Sequence, residues 1–497
     1  MSFHFLLVAV TLACIAVLKY RVITAAIIGP SAIIAGSFFF VGGAWAGERV
    51  HIDGQHLGAL WIVPFVGLLL SIAIVPLTHP RFWHHNFGKI AAAWAFAFLL
   101  PSSLVFGLTS TLYELAHTLL LEYIPFVVLL LALFTVAGGV LVKVNLHGSP
   151  ALNTTILGIG ALIAGVAGTT GAAMLLIRPV IRANDHRLHN VHVIVFFIFI
   201  VGNMGGALTP LGDPPLFLGF LKGVGFFWPT VHLFGPWLVV VSALLAVFFV
   251  LDSYLFRLEK RHPPKRDPTL DSRLSIAGWI NIALLAGIVL VVLSSGLWKP
   301  GVGLNICGVE IGLQDLLRDV VLLLITWCSW ASTSEDIRAG NDFSWAPIVE
   351  VTKLFGGIFI TLIPAIIILK AGSAGALAPV IRLAMDEAGQ PNNVMYFWLA
   401  GGLSSFLDNA PTYLVFFNMA GGDPALLTGP LRTTLTAISV GAVFMGANTY
   451  IGNAPNLMVK AIAESQGIRM PSFFGYMAWS GAILVPCFLL LTWLFFL

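Results

Sequence analysis

Two aspartates, Asp213 and Asp408, stand in stretches otherwise too apolar to solvate a charge. A carboxylate inside hydrocarbon costs at least about 3 kcal/mol on insertion scales unless it is protonated or holds a cation. Either residue could therefore switch between a proton and a cation. Around them lie oxygen-bearing side chains suited to a hard cation such as sodium. Thr169, Thr170 and Thr209 go with Asp213, and Asn409, Thr412, Asn448, Thr449 and Asn453 go with Asp408. Gly212 and Gly452, one residue before Asp213 and Asn453, complete the set. The bland account of the same residues is that they cap broken helices and pack closely, as small residues do in membrane bundles.

These residues fall in a pattern that occurs twice. Gly206-Ala207-Leu208-Thr209-Pro210-Leu211-Gly212-Asp213-Pro214-Pro215 reads against Gly446-Ala447-Asn448-Thr449-Tyr450-Ile451-Gly452-Asn453-Ala454-Pro455, with five of ten positions identical. A Phe-Gly pair follows each, Gly235 and Gly475 lying 23 residues past Gly212 and Gly452. Upstream, Gly168-Thr169-Thr170-Gly171-Ala172 and Asp408-Asn409-Ala410-Pro411-Thr412 occupy comparable places, with Thr170 42 residues before Gly212 and Asn409 43 before Gly452. The decapeptides read as helix breaks and the upstream pentapeptides as tips of re-entrant hairpins. A broken helix exposes unpaired N–H groups at one half and unpaired C=O groups at the other, with dipole ends of roughly half a charge. The N-termini suit a carboxylate, and the carbonyls with Asn and Thr oxygens suit sodium.

Other ionisable groups lie within apolar spans. Glu114, His117 and Glu122 share one span, where His117 and Glu122 could relay protons or sit at a wet helix end. Glu350 and Lys353, spaced i, i+3, read as a structural ion pair near the interface. Arg178 would snorkel to the surface or meet an anionic substrate.

The elements that must position these groups are set by composition. Of 497 residues 58% are apolar and 9% charged, against about 25% charged in an average soluble domain. Mean hydropathy is +0.96. Apolar runs recur from Phe3 to Leu497, each long enough to cross roughly 30 Å of hydrocarbon. Full spans are expected near 3–18, 22–44, 57–76, 90–110, 112–136, 236–256, 275–297, 315–333, 345–370 and 473–496. Residues 137–187 and 371–428, rich in Gly, Thr, Asn and Pro, read as hairpins, and 190–224 and 431–465 as broken helices. The fold class is an all-α polytopic membrane protein of about 12 transmembrane helices plus two re-entrant hairpins. Residues 1–50 form two N-terminal spans, 57–256 one repeat, 257–274 a basic linker and 275–497 the second repeat.

The most basic loop, with Arg257, Lys260, Arg261, Lys265, Arg266 and Arg273, belongs in the cytoplasm. Lys19, Arg21, Arg81, Lys89, Lys143, Arg182 and Arg187 then fall inside, and a minority, Arg49, Lys299, Lys370 and Arg432, outside. On this topology one repeat starts outside and the other inside, the inverted arrangement used for alternating access around a midplane site. The first apolar run lacks a basic segment before it and reads as a retained span, not a signal peptide. The four cysteines show no C-x-x-C spacing, so neither a metal site nor a disulfide framework is expected. No phosphate-binding loop, phosphorylation domain or H-E-x-x-H constellation is present, which argues against an ATP-driven pump or a membrane enzyme.

At these residues the chain resembles the ion transporter superfamily, which holds NhaD-type sodium/proton antiporters, arsenite permeases, citrate/metal transporters and sodium-coupled dicarboxylate transporters. The likeness rests on Ser405-Phe406-Leu407-Asp408-Asn409-Ala410-Pro411-Thr412, on the paired breaks, and on Gly168-Thr169-Thr170-Gly171 running on to Arg178-Pro179. It is strongest to the sodium:proton antiporter or citrate transporter branch. The resemblance implies a homodimer in which hairpins and broken helices move as an elevator against a scaffold. Dicarboxylate carriers of this superfamily carry Ser-Asn-Thr at both tips, which this chain lacks, and the added aspartate favours cation exchange. The expectation is thus a secondary transporter exchanging Na+ for H+, with Asp408 as chief carboxylate and Asp213 as its pseudo-symmetric counterpart. The alternative is a sodium- or proton-coupled symporter of citrate or another small organic anion. No cofactor and no nucleic-acid partner is expected; the partner is the lipid bilayer, in a bacterial inner membrane.

Overall fold

A computed structural model describes residues 52–145, 147–259 and 272–497. The expected spans 3–18 and 22–44 and most of the basic linker lie outside the described residues. The first part of the chain runs α1 (Val63–Thr78), α2 (Pro80–Val105), α3 (Leu108–Thr118), a π-helical turn (Leu119–Tyr123) and α4 (Ile124–Ala137). Strand β1 (Leu141–Asn145) follows, then α5 (Pro150–Ala167), α6 (Thr169–Ala183), α7 (Val191–Ile200), α8 (Pro214–Leu221) and α9 (Trp228–Glu259). After β2 (Ser272–Ala277) come α10 (Trp279–Leu297), β3 (Gly303–Ile306), β4 (Val309–Gly312), α11 (Leu313–Ser332), α12 (Glu335–Gly340) and α13 (Ala346–Lys370). The last part is α14 (Ala378–Leu383), α15 (Asn393–Ser404), α16 (Asn409–Met419), α17 (Pro424–Thr428), α18 (Arg432–Met445), α19 (Ala454–Ser465) and α20 (Phe473–Leu491).

Nine helices among the described residues are long and apolar enough to cross a bilayer, making this an all-α, multi-pass integral membrane protein. Their surroundings differ sharply. In α1, α2 and α10 only 22% of the most apolar stretch is buried, so the described residues leave most of that surface uncovered. From Val191 to Leu208 the share is 89%. A helix apolar on every face is one buried on every face, and α7 reads Val-His-Val-Ile-Val-Phe-Phe-Ile-Phe-Ile.

Two hydrophobic cores result. One joins α5, α6, α7, α15, α16 and α18 with the long helices α9 and α20 that flank them. The other joins α1, the α3–α4 helix, α10, α11 and α13, and takes in the facing sides of α8 and α16. We refer to these as the hairpin body and the scaffold.

Both expected hairpins and both broken helices are present, with shifted ends. The first hairpin is α5–α6, starting at Pro150 rather than at 137. Residues 141–145 pair instead with 272–277 in an antiparallel ribbon, as their alternating Leu-Val-Lys-Val-Asn pattern allows. The second hairpin is α15–α16, whose first helix begins at Asn393 rather than near 371. Gly372, at φ 57°, and short α14 intervene. Helix α2 begins at Pro80, ten residues before the expected 90, because Pro at the first helical position sets φ without costing a hydrogen bond.

The last carbonyls of α4 and those of the turn that follows it lack helical partners, and the scaffold satisfies four of them. Arg338 Nη1 donates to Thr135 O (3.3 Å), Asn341 Nδ2 to Gly138 O and Val140 O (3.0 and 2.8 Å), and Asn281 Nδ2 to Gly139 O (2.8 Å). The segment leading to the first hairpin is thereby fixed to the scaffold.

Candidate functional site

The two breaks are built alike. In each, a 3-10 turn (Met204–Leu208 or Gly446–Asn448) ends in an extended threonine, Thr209 or Thr449. The threonine Oγ1 accepts from the amide two residues on, Leu211 N at 3.1 Å or Ile451 N at 3.2 Å. It donates to a carbonyl 44 residues earlier, Gly165 O or Ser405 O, at 2.5 Å in both. Those carbonyls lie three residues before the hairpin tips, so each break is stitched to its own hairpin. The backbone then closes on itself: a Cβ on Gly212 would strike Gly206 O, and one on Gly452 would lie 2.5 Å from Gly446 O. Only glycine permits that approach. Gly168, at φ 77°, turns the first tip so that Thr169 N donates to Gly212 O at 2.9 Å.

Asp213 and Asn453 follow at the N-cap positions of α8 and α19. Both are residue types that normally accept a hydrogen bond from the helix they cap, yet neither side chain does so. The prolines Pro214, Pro215 and Pro455 remove some of the donors such a cap would serve. The freed side chains meet at the centre of the protein. Asp213, 1% exposed, accepts from Thr169 Oγ1 at 3.0 Å on Oδ1 and from Asn409 Nδ2 on Oδ2. Asn453 Nδ2 lies 3.4 Å from Asp213 Oδ1, 3.1 Å from Asn203 Oδ1 and 3.2 Å from Gly202 O, three acceptors for two hydrogens. One carboxylate thus gathers both hairpin tips and both breaks.

The N-terminal ends of α6, α8, α16 and α19 converge on this crossing. No lysine or arginine among the described residues hydrogen-bonds to Asp213. Asn409 Oδ1 is buried with no donor. A cavity of about 90 Å³ reaches Asp213 from one side, floored by Thr169, Thr170 and Gly212 and walled by apolar residues of α4, α8 and α13.

The structure corrects the expected pairing of the carboxylates. The equivalent of Asp213 is Asn453, and the equivalent of Asp408 is Gly168, since each pair occupies the same cap. Asp408 caps α16 in the ordinary way, its Oδ1 accepting from Ala410 N at 3.2 Å, and Thr412 Oγ1 donates back to Asp408 O at 3.0 Å. For these two residues the bland account describes the contacts observed. Thr170 lines the cavity, and Asn448 Nδ2 donates to Ser405 Oγ at 2.9 Å.

Two members of the crossing escaped the sequence pattern, Asn203 and Asn456. Asn203 Nδ2 donates to Asn456 Oδ1 at 2.8 Å, and Asn456 Nδ2 to Gly446 O and Thr449 O at 2.9 and 2.8 Å. They have no counterparts in the opposite repeat, where Val443 and Leu216 stand, so comparing the repeats could not find them. A lone Asn ending the apolar run Val191–Val201 was the available signal.

Other expected roles also change. Arg178 does not meet the crossing; its Nη2 pairs with the exposed Asp342 at 3.1 Å. Arg187, counted as a loop charge, is fully buried, with Nη2 2.6 Å from Asp252 and Nε 2.6 Å from Glu259. Glu350 meets Trp83 and His84, while the Lys353 ammonium lies over the Phe87 ring at 5.6 Å. Glu122 pairs with Lys222, and His117 lies within range of both charges.

Residues 54–496 match the family described as "Putative citrate transport", and the chain belongs to that family. No curated protein matches it.

Proposed function

We propose that this member of the citrate transport family is a sodium/proton antiporter in which Asp213, rather than Asp408, carries the exchanged ion. That it is a secondary transporter follows from the family. The finer reading rests on one observation: a fully buried carboxylate in one break, held only by neutral groups from the other break and from both hairpin tips. Such a group is stable at membrane depth with a proton or a cation on it. The donors are hydroxyl and amide groups that can rotate to offer oxygen, and Asn409 Oδ1 is already an unused acceptor. A cavity of about 90 Å³ has room for an ion and a few waters, a water needing about 10–15 Å³ of such space. It is well below the roughly 300 Å³ at which small-molecule sites begin.

In this reading the hairpin body is mobile and slides past the scaffold as an elevator, its two repeats inverted. Asp213 takes up sodium on one side and a proton on the other. A second reading, citrate symport, is favoured by the family description and by the four helix N-termini, whose partial positive charge would attract carboxylates. Proton flux in proteoliposomes with an imposed pH gradient separates the two. Collapse of the gradient on adding sodium or lithium, absent with Asp213→Asn, supports antiport. Silence with cations and a response to citrate would overturn it.

A further inference from the structure

Three of the asparagines at the crossing, Asn456, Asn203 and Asn453, form a chain whose donors and acceptors can be counted. A backbone carbonyl only accepts, so each one met fixes which end of the neighbouring carboxamide is nitrogen. Asn456 gives both hydrogens of Nδ2 to Gly446 O and Thr449 O, at 2.9 and 2.8 Å, so its Oδ1 turns to Asn203. Asn203 gives one hydrogen to that oxygen and the other to Ile198 O, each at 2.8 Å, so its own Oδ1 turns to Asn453. Asn453 points Nδ2 at Gly202 O, 3.2 Å away, and its oxygen cannot take that place without facing a carbonyl.

For Asn456 and Asn203, hydrogens and acceptors match one to one. At Asn453 they do not. Its two hydrogens face three acceptors, Gly202 O, Asn203 Oδ1 and Asp213 Oδ1, and the contact to Asp213, at 3.4 Å, is the longest of them. All three asparagines are at most 2% exposed, so a hydrogen left over here does not reach bulk water. The surplus acceptor matters when Asp213 takes up an ion. A cation on Oδ1 repels the Asn453 N–H and displaces it. With Asn203 Oδ1 in place the displaced hydrogen goes there, and both hydrogens of Asn453 stay paired. Without Asn203 the hydrogen is stranded, and a buried donor left unpaired opposes the ion that displaced it. The equivalent place in the opposite repeat holds Val443, which offers no acceptor, so this provision belongs to the repeat that carries Asp213.

We propose that Asn203 is a positioning residue for the ion on Asp213: it receives the Asn453 hydrogen that the ion displaces, and Asn456 holds it in the orientation that lets it do so. Asn453 remains a donor throughout, so the oxygens that turn to the ion are those of Asp213, Thr169 and Asn409. This rests on Asp213 as the ion carrier, but not on whether sodium moves against protons or with citrate.

The test is sodium binding by the full chain in detergent, read as the sodium concentration that raises the unfolding temperature. It is run at alkaline pH, with choline chloride holding the ionic strength constant. Asn203→Val, which copies the residue at the equivalent place, should weaken sodium binding about tenfold, the effect of one buried N–H left unpaired. Adding Asn453→Ala removes the displaced hydrogen and should recover most of that loss, whereas two substitutions that merely loosen the crossing would add. Should Asn203→Val fail to fold, Asn203→Ser, whose hydroxyl is one atom short of Asn453, carries the same comparison. A parent-like affinity in the Asn203 variant, or a double variant that binds sodium no more tightly than the single one, overturns this role of Asn203 and leaves Asp213 as the ion carrier. A parent insensitive to sodium, or sodium binding that survives Asp213→Asn, overturns the reading of Asp213 and the role of Asn203 with it.

Discussion

The two hairpin bases occupy equivalent places and are held by different forces. At the base of the first, Asp252 is fully buried and accepts from Arg187, from His192 at 2.9 Å and from Asn153 at 3.0 Å. Glu259 completes the cluster on Arg187 Nε. At the base of the second, the position equivalent to Asp252 is Thr492, which accepts from Trp398 Nε1 at 3.1 Å, and Asn393 accepts from Thr434 at 2.8 Å. The breaks follow the same rule, with a carboxylate, Asp213, in one and an amide, Asn453, in the other. At these places the shared geometry lies in backbone and threonine and the ionisable group in the first repeat, whereas at the tips it lies in the second, where Asp408 stands in place of Gly168. Duplication thus supplies the crossing, and a few side chains decide what it can hold.

Making the breaks alike should have the largest effect. Asp213→Asn leaves no carboxylate on the crossing network and should reduce sodium-dependent proton flux to background, with the protein still monodisperse by size exclusion. Moving the charge instead of removing it, in the double variant Asp213→Asn with Asn453→Asp, should restore part of that flux. No recovery would mean that the equivalence is geometric alone.

The hairpin bases are compared by unfolding in detergent. Asp252→Ala removes the buried acceptor shared by Arg187, His192 and Asn153 and should cost about 3–5 kcal/mol, whereas Thr492→Val at the equivalent place should cost about 1 kcal/mol. Equal costs would refute the contrast. Thr209→Val and Thr449→Val remove the same bond from each break and should each cost about 1 kcal/mol. The smallest effect is expected at Asp408, because Asn caps a helix as well as Asp does. Asp408→Asn should change stability by a few tenths of a kcal/mol and keep sodium-dependent flux; loss of flux would return the central role to Asp408.

Much of the fold was legible in the chain. Apolar runs of spanning length, with Gly/Pro-rich breaks at Gly206–Pro215 and Gly446–Pro455, are local features, and local features survive folding. Hence the hairpin tips at Gly168 and Asp408 stand where the repeat placed them. The ends of elements were less legible. Val142 and Lys143 form a strand because a partner from residues 272–277 lies beside them, which nothing in either segment announces.

The sequence by itself determined where backbone must break inside the membrane, because glycine, proline and the loss of apolar periodicity act on their immediate neighbours. Only the tertiary structure decided which aspartate faces the crossing. Asp408 is drawn to an amide two residues away. Asp213, with two prolines beginning its helix, turns to Asn409 from 196 residues away. Asn203 finds Asn456 across 253 residues, and Arg187 leaves the surface for Asp252 across 65. A buried polar group goes to whichever partner satisfies it at least cost, and that partner is known only once the elements have packed.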